Sequence, residues 1–286
     1  MAPAPKVAVV TDSTALYPSG EMPEGVTVVP LQVIIDGECF AEGGEQASPE
    51  AVIAAFAAKK RVTTSRPAPA TLREVYAQLA AEGYAEILSI HLSGDMSGTF
   101  ESAQLAARET AIPVVALDTR AVGPSVGFAA AAAVAAVRRG ASATEAALVA
   151  KARAEATQSL IYVDSLEPMR RGGRIGTAAA VLGSALAVKP LLTFADGRIV
   201  VKEKVRTAQR ALARMAELAI DAAGEGPVEV AVAHLAAEDR AEHLAAALSE
   251  RLAAQLALPV RCGQVGAGLG AHVGPGMLAV VVTPAL

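Results

Sequence analysis

The chain has 286 residues, of which 53% are hydrophobic and 19% charged, so it is long enough to bury a sizeable core and unlike a disordered chain. Its 25 basic and 29 acidic side chains give a net charge of −4, which argues against a general nucleic-acid-binding protein, because such a protein needs a net basic surface. Aromatic residues make up only 3%, too few for a wall of stacking platforms.

Apolar runs and cysteines predict a cytoplasmic protein without a membrane anchor. The most apolar run, Val126 to Val137, is mostly alanine and too short to cross a bilayer about 30 Å thick. The first residues lack the basic and apolar segments of a signal peptide. Cys39 and Cys262 have no metal-binding spacing, and neither do the histidines, so reduced thiols and no metal site are expected.

The first half of the chain alternates β-branched runs with alanine-rich segments. Strands are predicted at Lys6–Thr11, Val26–Ile35, Glu86–Leu92 and Val114–Asp118. Between them, Ser48 precedes a proline and a glutamate, and Thr71 and Ser142 each stand three residues before a glutamate, which are helix-capping patterns. Such alternation favours a mainly parallel sheet covered by helices.

The second half predicts a mixed sheet. An Asp-Gly pair between the apolar runs Pro190–Phe194 and Arg198–Val201 is typical of an antiparallel hairpin, and a long helix follows over about Thr207–Ala223. The other predicted elements are strands at Leu160–Asp164, Glu229–His234, Val260–Cys262 and Met277–Val282 and a helix that ends at Leu256. The sequence therefore predicts two α/β domains, residues 1–158 and 159–286.

Three polar clusters follow strands of the first domain. They are Asp12–Thr14, Ser93–Asp95 and Asp118–Arg120. Because the carboxyl ends of parallel strands meet at one edge of a sheet, these clusters indicate a single ligand cleft. The alternative is that each cluster only caps the helix after it.

Several polar segments could bind an anion. The turn Ser93–Thr99 precedes a predicted helix, Phe100–Glu109, and its small residues suit a carboxylate or phosphate. The glycine-rich segment 266–276 carries His272, which either contacts an anion or is structural. Basic residues cluster at Arg170, Arg171 and Arg174, and again at Lys202, Lys204, Arg206 and Arg210.

A serine hydrolase is the main alternative. Ser125 lies in a GxSxG pattern, and Asp164 and His272 follow in the order of an α/β-hydrolase triad. Pro124 beside the serine and the five residues after the preceding strand do not suit the sharp nucleophile turn. A second version of this hypothesis pairs Ser97 with His272. The sequence has no phosphate-binding loop for a nucleotide.

Six motifs together are more specific than any one of them. In chain order they are Thr11-Asp12-Ser13-Thr14, Thr64-Ser65-Arg66-Pro67, Met96-Ser97-Gly98-Thr99-Phe100-Glu101-Ser102-Ala103, Arg171-Gly172-Gly173-Arg174-Ile175, Val188-Lys189-Pro190-Leu191-Leu192 and His272-Val273-Gly274-Pro275-Gly276. With these motifs the sequence resembles the DegV family of bacterial fatty-acid-binding proteins along nearly its whole length.

This resemblance implies two α/β domains with a long-chain fatty acid, such as palmitate, buried between them. It also implies that the protein is a lipid carrier with no cofactor and no catalytic residue of its own. A separate ATP-binding subunit of a fatty acid kinase would convert the bound fatty acid into an acyl phosphate for phospholipid synthesis.

The resemblance also assigns residues. The carboxylate would bind Thr64, Ser97 and His272, with Arg174 and, more loosely, Arg170 near the head group. The complete ligand site implied in this way is Thr64, Ser65, Ser97, Gly98, Arg174, His272 and Gly274, and the residues facing the kinase are Lys204 and Arg206. Arg66 and Gly94 depart from the family pattern, which often has glutamine and serine there, so head-group selectivity stays open.

Overall fold

The computed structural model describes residues 6–17, 22–181 and 188–285. Residues 1–5, on which the prediction about a signal peptide depends, lie outside this part. The strands are β1 Val7–Asp12, β2 Val26–Val29, β3 Gln32–Ile35, β4 Glu38–Ala41, β5 Val62–Ser65, β6 Glu86–His91, β7 Val114–Asp118, β8 Gln158–Tyr162, β9 Lys189–Ala195, β10 Arg198–Val205, β11 Val228–Leu235, β12 Arg261–Gln264 and β13 Met277–Pro284. The α-helices are α1 Pro49–Ala57, α2 Pro69–Ala81, α3 Thr99–Ala107, α4 Pro124–Arg138, α5 Ala143–Ala156, α6 Glu167–Arg171, α7 Ala208–Ala223, α8 Glu238–Arg251 and α9 Ala267–Val273.

The first sheet is parallel throughout, in the order β2-β1-β6-β7. Both faces of β1 are buried: Val7 and Val9 pack against α4 and α5, while Ala8 and Val10 pack against α2 and α3. Burial on both faces explains why this strand is a continuous apolar run rather than an alternating one.

The second sheet is mixed, in the order β10-β9-β8-β13-β11-β12, and only its β11–β12 pair is parallel. Side chains alternate along β8: Leu160 and Tyr162 pack with α7 and α8, while Ile161 faces the other way. The predicted hairpin is present, with positive φ at both Asp196 and Gly197. The predicted fold class, a parallel sheet followed by a mixed one, is confirmed.

A third sheet, antiparallel and ordered β4-β3-β5, is absent from the predictions. The predicted strand Val26–Ile35 is wrong, because it is two strands that belong to different sheets. Pro30 lies between them and has no backbone N–H for a sheet hydrogen bond. Val33 of this small sheet packs with Val52 of α1 and Ala267 of α9.

Two of the three helix starts are confirmed. Ser48 accepts a hydrogen bond from the Ala51 N–H, and Ser142 forms a complete capping box with Glu145. The capping box at Thr71 is wrong: α2 begins at Pro69, whose fixed φ suits a first helical position, so Thr71 lies inside the first turn of the helix. Two helices end earlier than predicted: α3 ends at Ala107 rather than at Glu109, and α8 ends at Arg251 rather than at Leu256.

The predicted boundary between residues 158 and 159 falls one residue inside β8, just after α5. It stays a prediction. Within the described ranges, no helix combines the length and the hydrophobicity that a membrane span requires.

Candidate functional site

A cavity lies between the parallel sheet and the mixed sheet. Most of its lining is aliphatic or aromatic, from both halves of the chain, including Leu92, Ile161, Phe194 and Met277. Polar side chains gather at one end, where the lining includes Thr64, Ser97, Arg174 and His272. A long apolar space with one polar end suits an amphipathic ligand.

His272 lies on the short helix α9 rather than in the glycine loop that the sequence suggested. Its Nε2 is 2.8 Å from the hydroxyl oxygen of Thr64 on β5. Its Nδ1 is buried and has no hydrogen-bond partner among the described residues. Gly172 lies against that nitrogen, where a Cβ atom would collide with it. The histidine ring is therefore held between Thr64 and the Gly172 backbone.

The unpaired Nδ1 indicates which nitrogen carries the proton. A proton on Nδ1 would leave a buried N–H without an acceptor, at a cost of about 1–3 kcal/mol. With the proton on Nε2, His272 donates to Thr64 Oγ1, and the Thr64 O–H is free to donate elsewhere. The favoured tautomer thus makes Thr64 a hydrogen-bond donor toward the cavity.

Burial lowers the pKa of His272 to about 4, and the nearby Arg174 guanidinium contributes in the same direction. The imidazole is therefore neutral at pH 7. The positive charge at this end of the cavity comes from Arg174 instead. Its Nε donates to the Met96 carbonyl at 3.0 Å, and its Nη1 donates to the Gly172 carbonyl at 2.5 Å.

The turn before α3 brings Ser97 to the lining. The N–H groups of Met96 and Ser97 both donate to the Ser93 carbonyl, which closes the turn. The Ser97 hydroxyl is 2.9 Å from that of Thr99. Ser97 is thus held by its own turn, and the backbone N–H groups of Met96 and Ser97 are not free to bind an anion.

Other assigned residues lie outside the lining. Ser65 is exposed, and Gly98 is the N-cap of α3. Gly274 has φ +73°, and a Cβ there would lie 2.8 Å from Pro168, so its role in this structure is backbone packing. Arg170 is exposed, and its Nε donates to the Glu167 carboxylate at 2.7 Å.

Neither of the two departures from the family pattern lines the cavity: Gly94 lies within the Ser93–Thr99 turn, and Arg66 contacts the start of α3. Arg66 donates from Nη1 to the Gly98 carbonyl and to Glu101, both at 3.1 Å. The Gly94 N–H donates to Asp118 at 3.2 Å, and a Cβ at Gly94 would lie 3.0 Å from that carboxylate.

The structure does not assemble the hydrolase triad. Ser125 is 1% exposed and 2.8 Å from the hydroxyl of Ser159. Asp164 accepts hydrogen bonds from Tyr162 and Arg240. The second version is not assembled either, since the Nε2 of His272 faces Thr64.

A buried hydrogen-bond chain was missed by the sequence analysis. The Tyr76 hydroxyl donates to the Ser89 hydroxyl at 2.7 Å. Ser89 has one proton, which it therefore donates to Nε2 of His91 at 2.8 Å. Nδ1 of His91 in turn donates to the Asp12 carboxylate at 2.9 Å. The order resembles a catalytic triad, but all four side chains are completely buried. Burial raises the pKa of Tyr76 to about 12, which keeps it a donor.

This chain stabilises the cavity edge. Asp12 also accepts from the N–H of Leu92 and from the N–H and hydroxyl of Thr14. Leu92 and Thr14 both line the cavity. Asp12 therefore reaches Leu92, the residue before the cluster Ser93–Asp95. That cluster meets the cluster Asp118–Arg120 through the Gly94 N–H, which donates to Asp118, and through the ion pair of Arg120 with Asp95. The sequence did contain a sign of this buried chain, because Ser89 and His91 are polar residues two positions apart in the otherwise apolar strand β6.

Glu42, also missed, connects the small sheet to α9. Its carboxylate accepts from the Gly268 N–H at 2.7 Å and from the Ser13 hydroxyl. Burial raises its pKa, although both hydrogen bonds oppose that change. Gly268 lines the cavity and lies in the first turn of the helix that carries His272, so Glu42 helps to hold this helix in place.

The hairpin turn of the mixed sheet docks on the parallel sheet beside the cavity. Arg198 donates to Asp95 from Nε at 3.0 Å and from Nη2 at 2.7 Å, and Ser93 donates to the Gly197 carbonyl at 2.7 Å. Arg120 also lies 3.6 Å from Asp95. These contacts hold the two halves together around the Ser93–Thr99 turn.

The residues expected to face a kinase lie on the surface. Lys204 belongs to β10 and Arg206 follows this strand, and both side chains are exposed. Neither lines the cavity. No group of three or more His, Cys, Asp or Glu side chains within the described ranges is arranged to bind a metal ion.

Comparison with known proteins gives consistent matches. A family model described as "Uncharacterised protein, DegV family" matches residues 6–285. A DegV domain-containing protein of Streptomyces coelicolor is 47% identical over 278 residues, which cover 97% of this chain and 98% of the relative.

Solved structures match over the same length. DegV of Bacillus subtilis, described as a fatty acid binding protein, is 31% identical with a TM-score of 0.89, and the match covers 99% of this chain and 100% of that one. A DegV family protein of Thermus thermophilus, described by its fatty acid binding, is 29% identical with a TM-score of 0.89 and coverages of 98% and 100%.

Proposed function

Because this chain belongs to the DegV family, we propose that it binds one long-chain fatty acid, such as palmitate, in the cavity between its two sheets. The observation that carries the proposal is the cavity itself, which is apolar along most of its length and polar at the end formed by Thr64, Ser97, Arg174 and His272. The fatty acid binding described for the Bacillus and Thermus proteins supports the same ligand class.

Burial of the hydrocarbon chain supplies enough free energy to bind a fatty acid. Transfer of a sixteen-carbon chain from water at about 0.8 kcal/mol per CH₂ gives about 12 kcal/mol before the entropy costs of binding. The carboxylate must then be paired, because an unpaired buried anion costs several kcal/mol. The polar end meets this need with two hydroxyl groups and the charge of Arg174.

In the proposed complex, the carboxylate accepts a hydrogen bond from Thr64. The neutral His272 donates to Thr64 and so orients its hydroxyl proton toward the ligand. Ser97 provides a second donor from the turn before α3. His272 therefore acts mainly by positioning Thr64, whereas the resemblance alone implied direct contact with the anion.

We assign the protein no reaction of its own. The proposed role is that of a carrier that presents the carboxylate to a separate ATP-binding kinase subunit, which forms the acyl phosphate. The exposed Lys204 and Arg206 are the candidate contacts for that subunit. Positive side chains on an acidic protein would favour a partner with an acidic surface.

Displacement of a fluorescent fatty acid from the delipidated protein tests the binding proposal. Palmitate should compete at a stoichiometry of one per chain, and hexadecane or hexadecanol should compete more weakly because they lack the carboxylate. Equal competition by hexadecanol would contradict the proposed head-group site. No displacement by any long-chain compound would contradict fatty acid binding.

A further inference from the structure

Ser159 is a polar residue in the apolar part of the cavity. It lines the cavity and is 7% exposed, while its neighbour Ser125 is 1% exposed and does not line it. The two hydroxyl oxygens are 2.8 Å apart. The mechanism proposed for the carboxylate uses neither of them.

Strand register places this pair far from the carboxylate site. Ser159 and Ile161 of β8 lie opposite Val281 and Ala279 of β13, and all four side chains line the cavity. Met277, at the start of β13, also lines it and lies five residues after His272. The floor of the cavity therefore runs along β13 from Met277, near the polar end, to Val281 beside Ser159.

The distance along this floor can be expressed in carbon atoms. The four residue steps from Met277 to Val281 span about 14 Å. An extended chain of single bonds advances about 1.2 Å per bond, as an extended polypeptide does. Counted from a carboxylate carbon level with Met277, Ser159 thus lies opposite about the eleventh to thirteenth carbon of the chain.

Among the residues that the structure describes, the hydrogen bonds of the pair are incomplete. Each serine hydroxyl can donate once and accept twice, so a single bond between Ser125 and Ser159 leaves one proton and several lone pairs unused. The neighbouring Thr193 hydroxyl donates to the Ser159 backbone carbonyl rather than to this pair. An entirely aliphatic chain would leave these groups unused, whereas an oxygen atom on the chain could bond with them.

We propose that the cavity accepts fatty acids that carry a hydroxyl or oxo group near the twelfth carbon, and that Ser159 is the residue that recognises this group. The inference rests on the proposed function, since it assumes that the carboxylate binds at Thr64. Ser125 does not contact the ligand in this proposal, because its hydroxyl faces that of Ser159 rather than the cavity.

Competition binding with three ligands tests the inference. The ligands are stearate, 12-hydroxystearate and 16-hydroxypalmitate, measured on the natural protein and on the Ser159→Ala and Ser125→Ala variants. In the natural protein, 12-hydroxystearate should bind at least as tightly as stearate, and 16-hydroxypalmitate should bind at least fivefold more weakly than 12-hydroxystearate. Ser159→Ala should weaken 12-hydroxystearate by about five- to hundredfold and stearate by less than threefold, because only the hydroxyl ligand loses a partner. Ser125→Ala, which leaves the Ser159 hydroxyl in place, should preserve the preference and controls for effects on folding.

Two results would overturn the inference. One is binding of 12-hydroxystearate more than tenfold weaker than that of stearate in the natural protein. The other is a ratio of the two affinities that Ser159→Ala leaves unchanged. If stearate itself did not bind, the proposed function would fail instead, so the two failures are distinguishable.

Discussion

The Nε2 atom of His272 lies 2.8 Å from the hydroxyl oxygen of Thr64, although 208 positions separate the two residues in the sequence. This contact joins α9 to β5 across the polar end of the cavity. Because the neutral imidazole donates to Thr64, the threonine proton is directed to the space in which we place the carboxylate. In this account Thr64 donates a hydrogen bond to the carboxylate, and His272 orients the Thr64 hydroxyl.

Removal of the Thr64 hydroxyl should weaken fatty acid binding. A hydrogen bond to a charged group contributes about 1.5–3 kcal/mol, so Thr64→Val should raise the Kd for palmitate by about ten- to hundredfold. Thr64→Ser, which keeps the hydroxyl, should stay within about threefold of the natural protein. Equal Kd values for the valine and serine variants would show that the hydroxyl does not contact the carboxylate.

The low pKa of His272 predicts a loss of stability in acid. A folded-state pKa of about 4 lies below the usual 6.5, so the stability contribution is fully present above pH 6.5 and is lost as the pH falls toward 4. The maximum loss is about 3 kcal/mol. Urea unfolding of the delipidated protein between pH 7 and pH 4 should therefore show a shallower decline for His272→Gln than for the natural protein.

His243→Gln is the control for this experiment, because His243 is exposed and should leave the decline unchanged. Burial also lowers the pKa of His234, so some decline should persist in the His272 variant. If the His272 and His243 variants declined equally with pH, the imidazole of His272 would not be the neutral group described above.

Charge reversal at Arg206 should separate lipid binding from transfer to the kinase. Arg206 is exposed and does not line the cavity, so Arg206→Glu should leave the Kd for palmitate within about twofold. Acyl phosphate formation with the cognate kinase subunit should fall by at least about tenfold, since the like charge would repel an acidic partner surface. Arg251→Glu is the matched control, because it reverses the charge of another exposed arginine in the second half of the chain. Parallel loss of both functions in the Arg206 variant would instead make this residue structural.

The buried chain through His91 should contribute to stability rather than to chemistry. His91→Ala would remove one partner of the buried Asp12 carboxylate and open a cavity, at a cost of about 2–4 kcal/mol in the free energy of unfolding. His243→Ala should cost less than about 0.5 kcal/mol, because that side chain is exposed.

A fluorophosphonate probe should label neither Ser89 nor Ser125. Labelling of either serine would revive the hydrolase hypothesis.

The fold was largely predictable because strands buried on both faces are apolar throughout and hairpin turns have a specific chemistry. The Asp196-Gly197 turn and the Ser142 capping box were found from a few adjacent residues. The small antiparallel sheet was not, because its strands have only four residues each, and Pro30 divides an apolar run that otherwise resembles one strand.

The site was predictable only in part. Thr64, Ser97 and His272 were named from short motifs, but no local pattern could show that His272 donates to Thr64 or that Gly172 backs its ring. These relationships depend on packing between segments far apart in the chain. The hydroxyl pair of Ser125 and Ser159 is of the same kind, since its members are 34 positions apart.

Native mass spectrometry of the purified protein, followed by extraction and identification of what it carries, tests the central claim most directly. We predict one bound long-chain fatty acid per natural chain and a lower occupancy in the Thr64→Val variant prepared in the same way. Natural protein that carries no fatty acid, and takes none up when palmitate is added, would contradict the account.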